Sequence, residues 1–178
     1  QISSSTDTAR SRGRAYSWRP DRPSELVYAQ SFDRKQDSTY RDGVYGMIAP
    51  FDGEPRLIYR TTMQFGDMVW GDSQYAIVRE TMRSTRKVKW TLINPETGEA
   101  IKVIDERSSE DTYSNPGDFL LSKGRLRING KKSPLVYTIS NGASPRGERP
   151  FLLQWDLIKG TRDTLFRSHP DRYEKPVD

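Results

Sequence analysis

The 178 residues contain no cysteine and one histidine, His169. The first absence excludes disulfides, thiolate-bound zinc and a thiol nucleophile. The second leaves a single imidazole, and it sits in a polar stretch, SHPDRY, near the end of the sequence. A serine nucleophile needs a base held by an acid beside it, and SHPDRY offers no such setting. No apolar run approaches the roughly 18 residues that a membrane-spanning helix requires, so no membrane span is expected. The first residues, QISSSTDTARSRGR, have no apolar centre and do not read as a signal peptide. Hydrophobic residues are scarce, at 33%, and no segment carries a helical period.

What is present compensates for the polar average. Nine Tyr, six Phe and four Trp are more aromatics than a disordered chain carries, and each buries a large area. Thirteen Gly and eleven Pro punctuate short apolar runs, the pattern of turns in an all-β protein. The net charge is +5, yet both signs are interspersed and no nucleic-acid motif is recognisable. The charge is read as a solvated surface, and no nucleic acid is expected as a partner.

Residues 1–13 read as a disordered lead-in. A first unit, about 14–61, has a short strand ending at Trp18, the turn Pro20–Pro23, the buried run ELVYAQ, a charged loop over Asp33–Asp42, the strand GVYGMIAP, a turn containing Gly53, and PRLIYRT. A second unit, about 62–107, repeats that order: MQFGDMV and Trp70, a Gly71-Asp72 turn, SQYAIVRE, a basic loop, VKWTLIN, a turn containing Gly98, and AIKVIDE. Trp70 follows Trp18 by 52 residues, and Gly98 follows Gly53 by 45. A third unit, about 113–168, has the strands FLLSKGRLRI and SPLVYTIS, the insertion NGASPRGERP, FLLQWDL, a Lys159-Gly160 turn and TRDTLFR. Residues 169–178 read as the start of a further unit or a tail. An antiparallel sandwich also shows regularly spaced strands. Repetition of the whole order favours about three four-stranded antiparallel blades, an incomplete β-propeller, since closed propellers have about 4–8.

Few residues promise chemistry. Gly142-Ala143-Ser144-Pro145-Arg146-Gly147 spaces its glycines one residue too far apart for a nucleophile elbow and reads as an inserted loop. Asp33, Asp37 and Asp42 lie in one loop among Arg34, Lys35 and Arg41, without calcium-loop spacing. Glu110-Asp111 reads as solvated loop charge. No metal site and no cofactor is expected. The most pointed feature is the basic loop Arg79–Lys89, with Arg83 and Arg86 as candidate substrate-binding residues, because a guanidinium pairs bidentately with a carboxylate.

Three strings do not follow from repeat geometry: Trp18-Arg19-x-Asp21-x-Pro23, Arg107-Ser108-Ser109-Glu110-Asp111-x-Tyr113-Ser114-x-Pro116-Gly117, and Gly142-Ala143-x-Pro145-x-Gly147. With the segments around them, from about residue 14 to 173, they resemble the propeller domain of the glutamyl endopeptidase branch of the prolyl oligopeptidase family of serine peptidases. The resemblance implies a propeller that admits and orients peptide substrates for a separate C-terminal α/β-hydrolase domain, which carries a Ser-Asp-His triad. Nothing here matches that domain or its G-x-S-x-G elbow, so no catalytic residue is carried over and the chain alone is expected to be inactive. If the source is bacterial, the resemblance implies a periplasmic or secreted location. The alternative is a free-standing propeller-type module that binds a protein partner. Either way, an open arc leaves blade faces bare, and self-association through them is expected.

Overall fold

The computed structural model describes residues 12–33, 39–130 and 133–176. Among these there is no α-helix. Three four-stranded antiparallel sheets follow one another along the chain. The first is β1 (Arg14–Trp18), β2 (Glu25–Ser31), β3 (Asp42–Ile48) and β4 (Arg56–Thr61). The middle sheet is β5 (Gln64–Trp70), β6 (Ala76–Met82), β7 (Lys87–Ile93) and β8 (Ala100–Ser108). Both pair in simple chain order. The last sheet holds β9 (Asp118–Phe119), β12 (Leu135–Ser140), β13 (Phe151–Asp156) and β14 (Arg162–Arg167). A small hairpin, β10 (Leu121–Ser122) with β11 (Arg125–Leu126), stands between β9 and β12.

Period-two alternation explains the stacking. In β6, Ala76 and Val78 face the first sheet while Ile77 faces the last, and all three are fully buried. One core joins Val27, Ala29, Val44 and Ile58 to Phe65, Trp70, Val78 and Ile93. The other joins Val69, Ile77, Trp90 and Leu92 to Phe119, Leu126, Val136 and Trp155. The middle sheet is thus apolar on both faces, as strands buried on two sides must be. All-β sheets of four antiparallel strands stacked face to face are consistent with propeller blades, the fold class expected from the sequence.

Charge stitches the first two sheets together. Asp42, fully buried, pairs with Arg14 and accepts hydrogen bonds from the Ser31 hydroxyl (2.8 Å) and the Phe65 N–H (2.7 Å). Glu80, also fully buried, accepts the N–H groups of Thr62 (3.1 Å) and Met63 (2.9 Å) and faces Lys89 (3.2 Å). Glu80 satisfies both N–H groups of the short β4–β5 link and Asp42 that of Phe65 just inside β5; those of Met63 and Phe65 would otherwise be buried without partners. At the opposite end Arg19 is 3% exposed. It binds Asp21 in a fork (3.0 and 2.6 Å), pairs with Glu25 (3.0 Å) and lies 4.2 Å over the Trp70 ring. Arg56 reaches Glu25 (3.3 Å) and donates to the Pro95 carbonyl of the middle sheet (3.2 Å).

Several local expectations are corrected. Asp42 opens β3 and is interior, not part of a solvated loop, because Arg14 and the Phe65 N–H give its charge partners; Asp37, Arg34 and Lys35 lie outside the described residues. FLLSKGRLRI is not one strand. Lys123 and Gly124 both take positive φ (52° and 75°), so the run folds on itself as β10–β11. Nor does Gly53 match Gly98. In the first sheet's turn Phe51 takes the positive φ (68°), and Gly53 does not.

The true counterpart of Gly98 is Gly160, at φ 75° and 81°, where a side chain would be strained. In each turn a polar residue at the strand end organises the backbone. Asn94 Oδ1 accepts from Glu96 and Thr97 N–H (2.9 and 3.2 Å), and Asp156 Oδ1 accepts from Ile158 and Lys159 N–H (3.0 and 2.8 Å). Burial pushes the Asp156 carboxyl up, but the Ser133 hydroxyl and those two N–H groups outweigh it and hold it below the ordinary range. A depressed folded value contributes stability above the unfolded value of about 3.9, and that contribution is lost as pH falls through the folded value. Asp156→Asn removes that contribution and should therefore be less stable than the parent at neutral pH, by about 1–3 kcal/mol. It should also lose less stability on acidification, which urea denaturation across pH reads directly.

Candidate functional site

In an antiparallel meander alternate connections share an end. The β2–β3, β4–β5, β6–β7, β8–β9 and β12–β13 connections therefore lie opposite the Arg19 network. Arg83 and Arg86 are at that opposite end, in the β6–β7 connection. The loop expected over Arg79–Lys89 is shorter than that. The ladder β6–β7 continues to Met82↔Lys87, so only residues 83–86 are outside strands. They form one 3₁₀ turn, closed by Arg86 in the left-handed region (φ 53°), whose N–H donates to the Arg83 carbonyl (3.3 Å). Strand pairing continues because Thr81↔Val88 and Glu80↔Lys89 are good cross-strand partners.

The two arginines differ. Arg86 forms an ion pair with Glu110, both more than half exposed, and its carbonyl accepts the Ser109 N–H (2.6 Å). Arg83 has no ion-pair partner among the described residues. Both line a surface cleft of about 420 Å³ with Thr81, Met82, Ser109 and Glu110. Beside them Lys87 pairs with Glu106. The turn thus offers one uncommitted guanidinium, one held by a carboxylate that an incoming anion would have to replace, and an open cleft between them. Exposed pairs of this kind are worth at most about 1 kcal/mol, so the exchange costs little. Glu110, read from the sequence as solvated loop charge, is the residue whose place beside the turn the sequence did not show. The signal was the β7–β8 register, Lys87↔Ser108, which carries Glu110 back beside the turn.

A second cleft at the same end, about 430 Å³, is lined by Thr112, Asn115, Gly117, Asn141, Gly142 and Lys175 among others. Two of the three distinctive strings meet here. Within the first of them, Asn115 Oδ1 accepts from Gly117 N–H and Arg107 (both 3.1 Å). Gly142 has φ 65°, and a Cβ there would lie 1.9 Å from the Arg149 carbonyl oxygen, so only glycine fits. Ser144 caps a turn, its hydroxyl donating to the Gly147 carbonyl (2.6 Å). His169 is exposed, 3.7 Å from Asp171. Its neighbour Ser168 is buried, with its hydroxyl donating to the Arg172 carbonyl. The third string is elsewhere, in the Arg19 network.

An all-β series of face-stacked sheets, with open clefts among the connections at one end, is the class of protein defined so far. No protein-family model matches this chain, and no solved structure matches it. Two curated plant proteins do. The chain is 30% identical over 185 residues to the "Probable glutamyl endopeptidase, chloroplastic" of Oryza sativa subsp. japonica, covering 97% of this chain and 20% of that protein. It is 28% identical over 186 residues to the protein of the same name from Arabidopsis thaliana, covering 97% and 19%. The resemblance to glutamyl endopeptidases drawn from the sequence is borne out. The chain corresponds to a partial segment, about a fifth, of proteins named as peptidases.

Proposed function

We propose that this chain is a non-catalytic β-propeller segment of a serine peptidase of the prolyl oligopeptidase family, glutamyl endopeptidase-like, that gates and orients peptides for a separate α/β-hydrolase domain. The observation that carries this reading is the pairing of near-complete coverage of this chain with only a fifth of the peptidase-named relatives. It is supported by a fold of stacked four-stranded sheets with open clefts among the connections at one end. Incubated with chromogenic peptides ending in Glu, Pro or Ala, the purified chain should give no turnover above buffer. Hydrolysis abolished by a serine-directed reagent would overturn the proposal.

Arg83 and, after exchange with Glu110, Arg86 are the groups that would meet an acidic side chain. In the longer peptidase, Arg83→Ala should raise KM for Glu-containing peptides about 10- to 100-fold, the worth of a charge-assisted hydrogen bond, while leaving Ala-containing peptides nearly unchanged. Equal loss on both substrates would mean that Arg83 does not contact the acidic group. Arg86→Ala should have the smaller effect, because its charge is already partly met.

A further inference from the structure

Glu110 is built into the cleft that holds Arg83 and Arg86. Its backbone is fixed at three points. Its N–H donates to the Ser108 hydroxyl (3.2 Å), its carbonyl accepts the Thr112 N–H (3.0 Å), and the preceding N–H, of Ser109, donates to the Arg86 carbonyl (2.6 Å). Arg86 is equally constrained. It closes the 3₁₀ turn in the left-handed region (φ 53°), and its own N–H donates to the Arg83 carbonyl (3.3 Å). The ion pair between the Arg86 and Glu110 side chains therefore joins two anchored segments, and forming it orders no further backbone.

Charge balance then sets what the cleft takes. Lys87, also on its wall, is already paired with Glu106. Two guanidiniums against the Glu110 carboxylate leave one positive charge, on Arg83. One incoming carboxylate makes the cleft neutral. A second reaches a guanidinium only by displacing Glu110 from Arg86, which exchanges one exposed pair for another of similar small worth. It also leaves Glu110 unpaired beside two ligand carboxylates, and like charges at that range oppose one another. We propose that Glu110 is a specificity-determining residue that limits this cleft to a single carboxylate. The ligand it fits is a peptide with one acidic residue among uncharged ones, in preference to adjacent acidic residues beyond the first. This rests on the proposed role of Arg83 in meeting an acidic side chain, and adds the resident carboxylate that sets how many such groups are accepted.

The test reads binding, without turnover. Acetylated and amidated alanine peptides carrying either one Glu or two adjacent Glu are titrated into the chain, and the amide NMR signals of residues 83–86 and 109–110 are followed. The parent should bind the two peptides within about threefold of each other. Glu110→Gln changes a side chain more than half exposed, where folding is little affected. It should bind the one-Glu peptide about two- to fivefold tighter than the parent does, and the two-Glu peptide about tenfold tighter. Glu106→Gln removes the same charge from a different cleft and should shift neither affinity by more than about twofold. A parent that binds the two-Glu peptide more than about tenfold tighter than the one-Glu peptide would overturn the proposal. So would equal effects of Glu106→Gln and Glu110→Gln, which would assign the gain to overall charge. Arg83→Ala separates this proposal from the reading beneath it. If that change leaves the one-Glu affinity intact, or if neither peptide moves those signals, the acidic anchor fails and this proposal with it. If Arg83→Ala weakens binding while Glu110→Gln leaves both affinities unchanged, this proposal alone fails.

Discussion

Replacing Arg19 by Met should cost about 3–5 kcal/mol, the penalty for breaking a buried ion pair and stranding its partner. Glu25 is 1% exposed. Without Arg19 its carboxylate would keep Arg56 at 3.3 Å and Arg22 at 3.9 Å, both more than a third exposed. Asp21 would lose its two-point partner, and the Trp70 ring would lose the cation over its face. The damage falls on the junction between the first two sheets, since Arg19 comes from the β1–β2 turn and Trp70 from β5. Arg19→Lys should recover part of the loss, because an ammonium supplies charge without the planar fork. Arg19→Met combined with Glu25→Gln should be less unstable than the sum of the single changes, and a double-mutant cycle in urea measures that coupling. A single-variant loss below about 1 kcal/mol would be that of a surface pair and would remove this network from what holds the junction.

The second large effect belongs to the other junction. Trp155→Ala should destabilise by about 3–5 kcal/mol, as large-to-small changes at buried aromatics do. Trp155 is 1% exposed, stacks against Phe119 at 6.1 Å and supports the Arg162 guanidinium 4.0 Å above its ring. Phe119 in turn meets Trp90 of the middle sheet at 5.4 Å. The three aromatics form a continuous column from one sheet to the next, and removing its end leaves a cavity that rigid strands cannot close. Trp155→Phe should keep most of the stability, because the buried indole N–H has no acceptor to lose among the described residues. Alanine and phenylalanine variants equally unstable in urea would show that the ring volume is not what matters there.

How far the sequence disclosed this structure follows from the kind of interaction involved. Strands such as Glu25–Ser31 and Phe151–Asp156 were legible because alternation and bounding turns are local. The Trp18/Trp70 correspondence survived for the same reason, and the registers Trp18↔Leu26 and Trp70↔Ala76 make it structural. The burial of Asp42 was illegible because its partners are 28 and 23 residues away, at Arg14 and Phe65. Likewise Arg86 looked like a free cation until Glu110, 24 residues on, was brought beside it by the β7–β8 register. Gly53 misled through composition alone, since a turn glycine is informative only when the backbone takes a positive φ, and here Phe51 takes it. The string around Arg19 was noticed for its resemblance, whereas its burial between two sheets gives it a physical reason to exist.

The most direct measurement bears on the proposal that these sheets serve a catalytic domain elsewhere in one polypeptide. The native protein is captured from its source with an antibody raised against this chain, labelled with a fluorophosphonate probe, and analysed by intact mass and peptide mapping. The expected result is a labelled polypeptide far larger than 20.5 kDa, with the probe on a serine outside residues 1–178. A native polypeptide of about the mass of this chain that takes no label, or a label on a serine within it, would contradict the proposal.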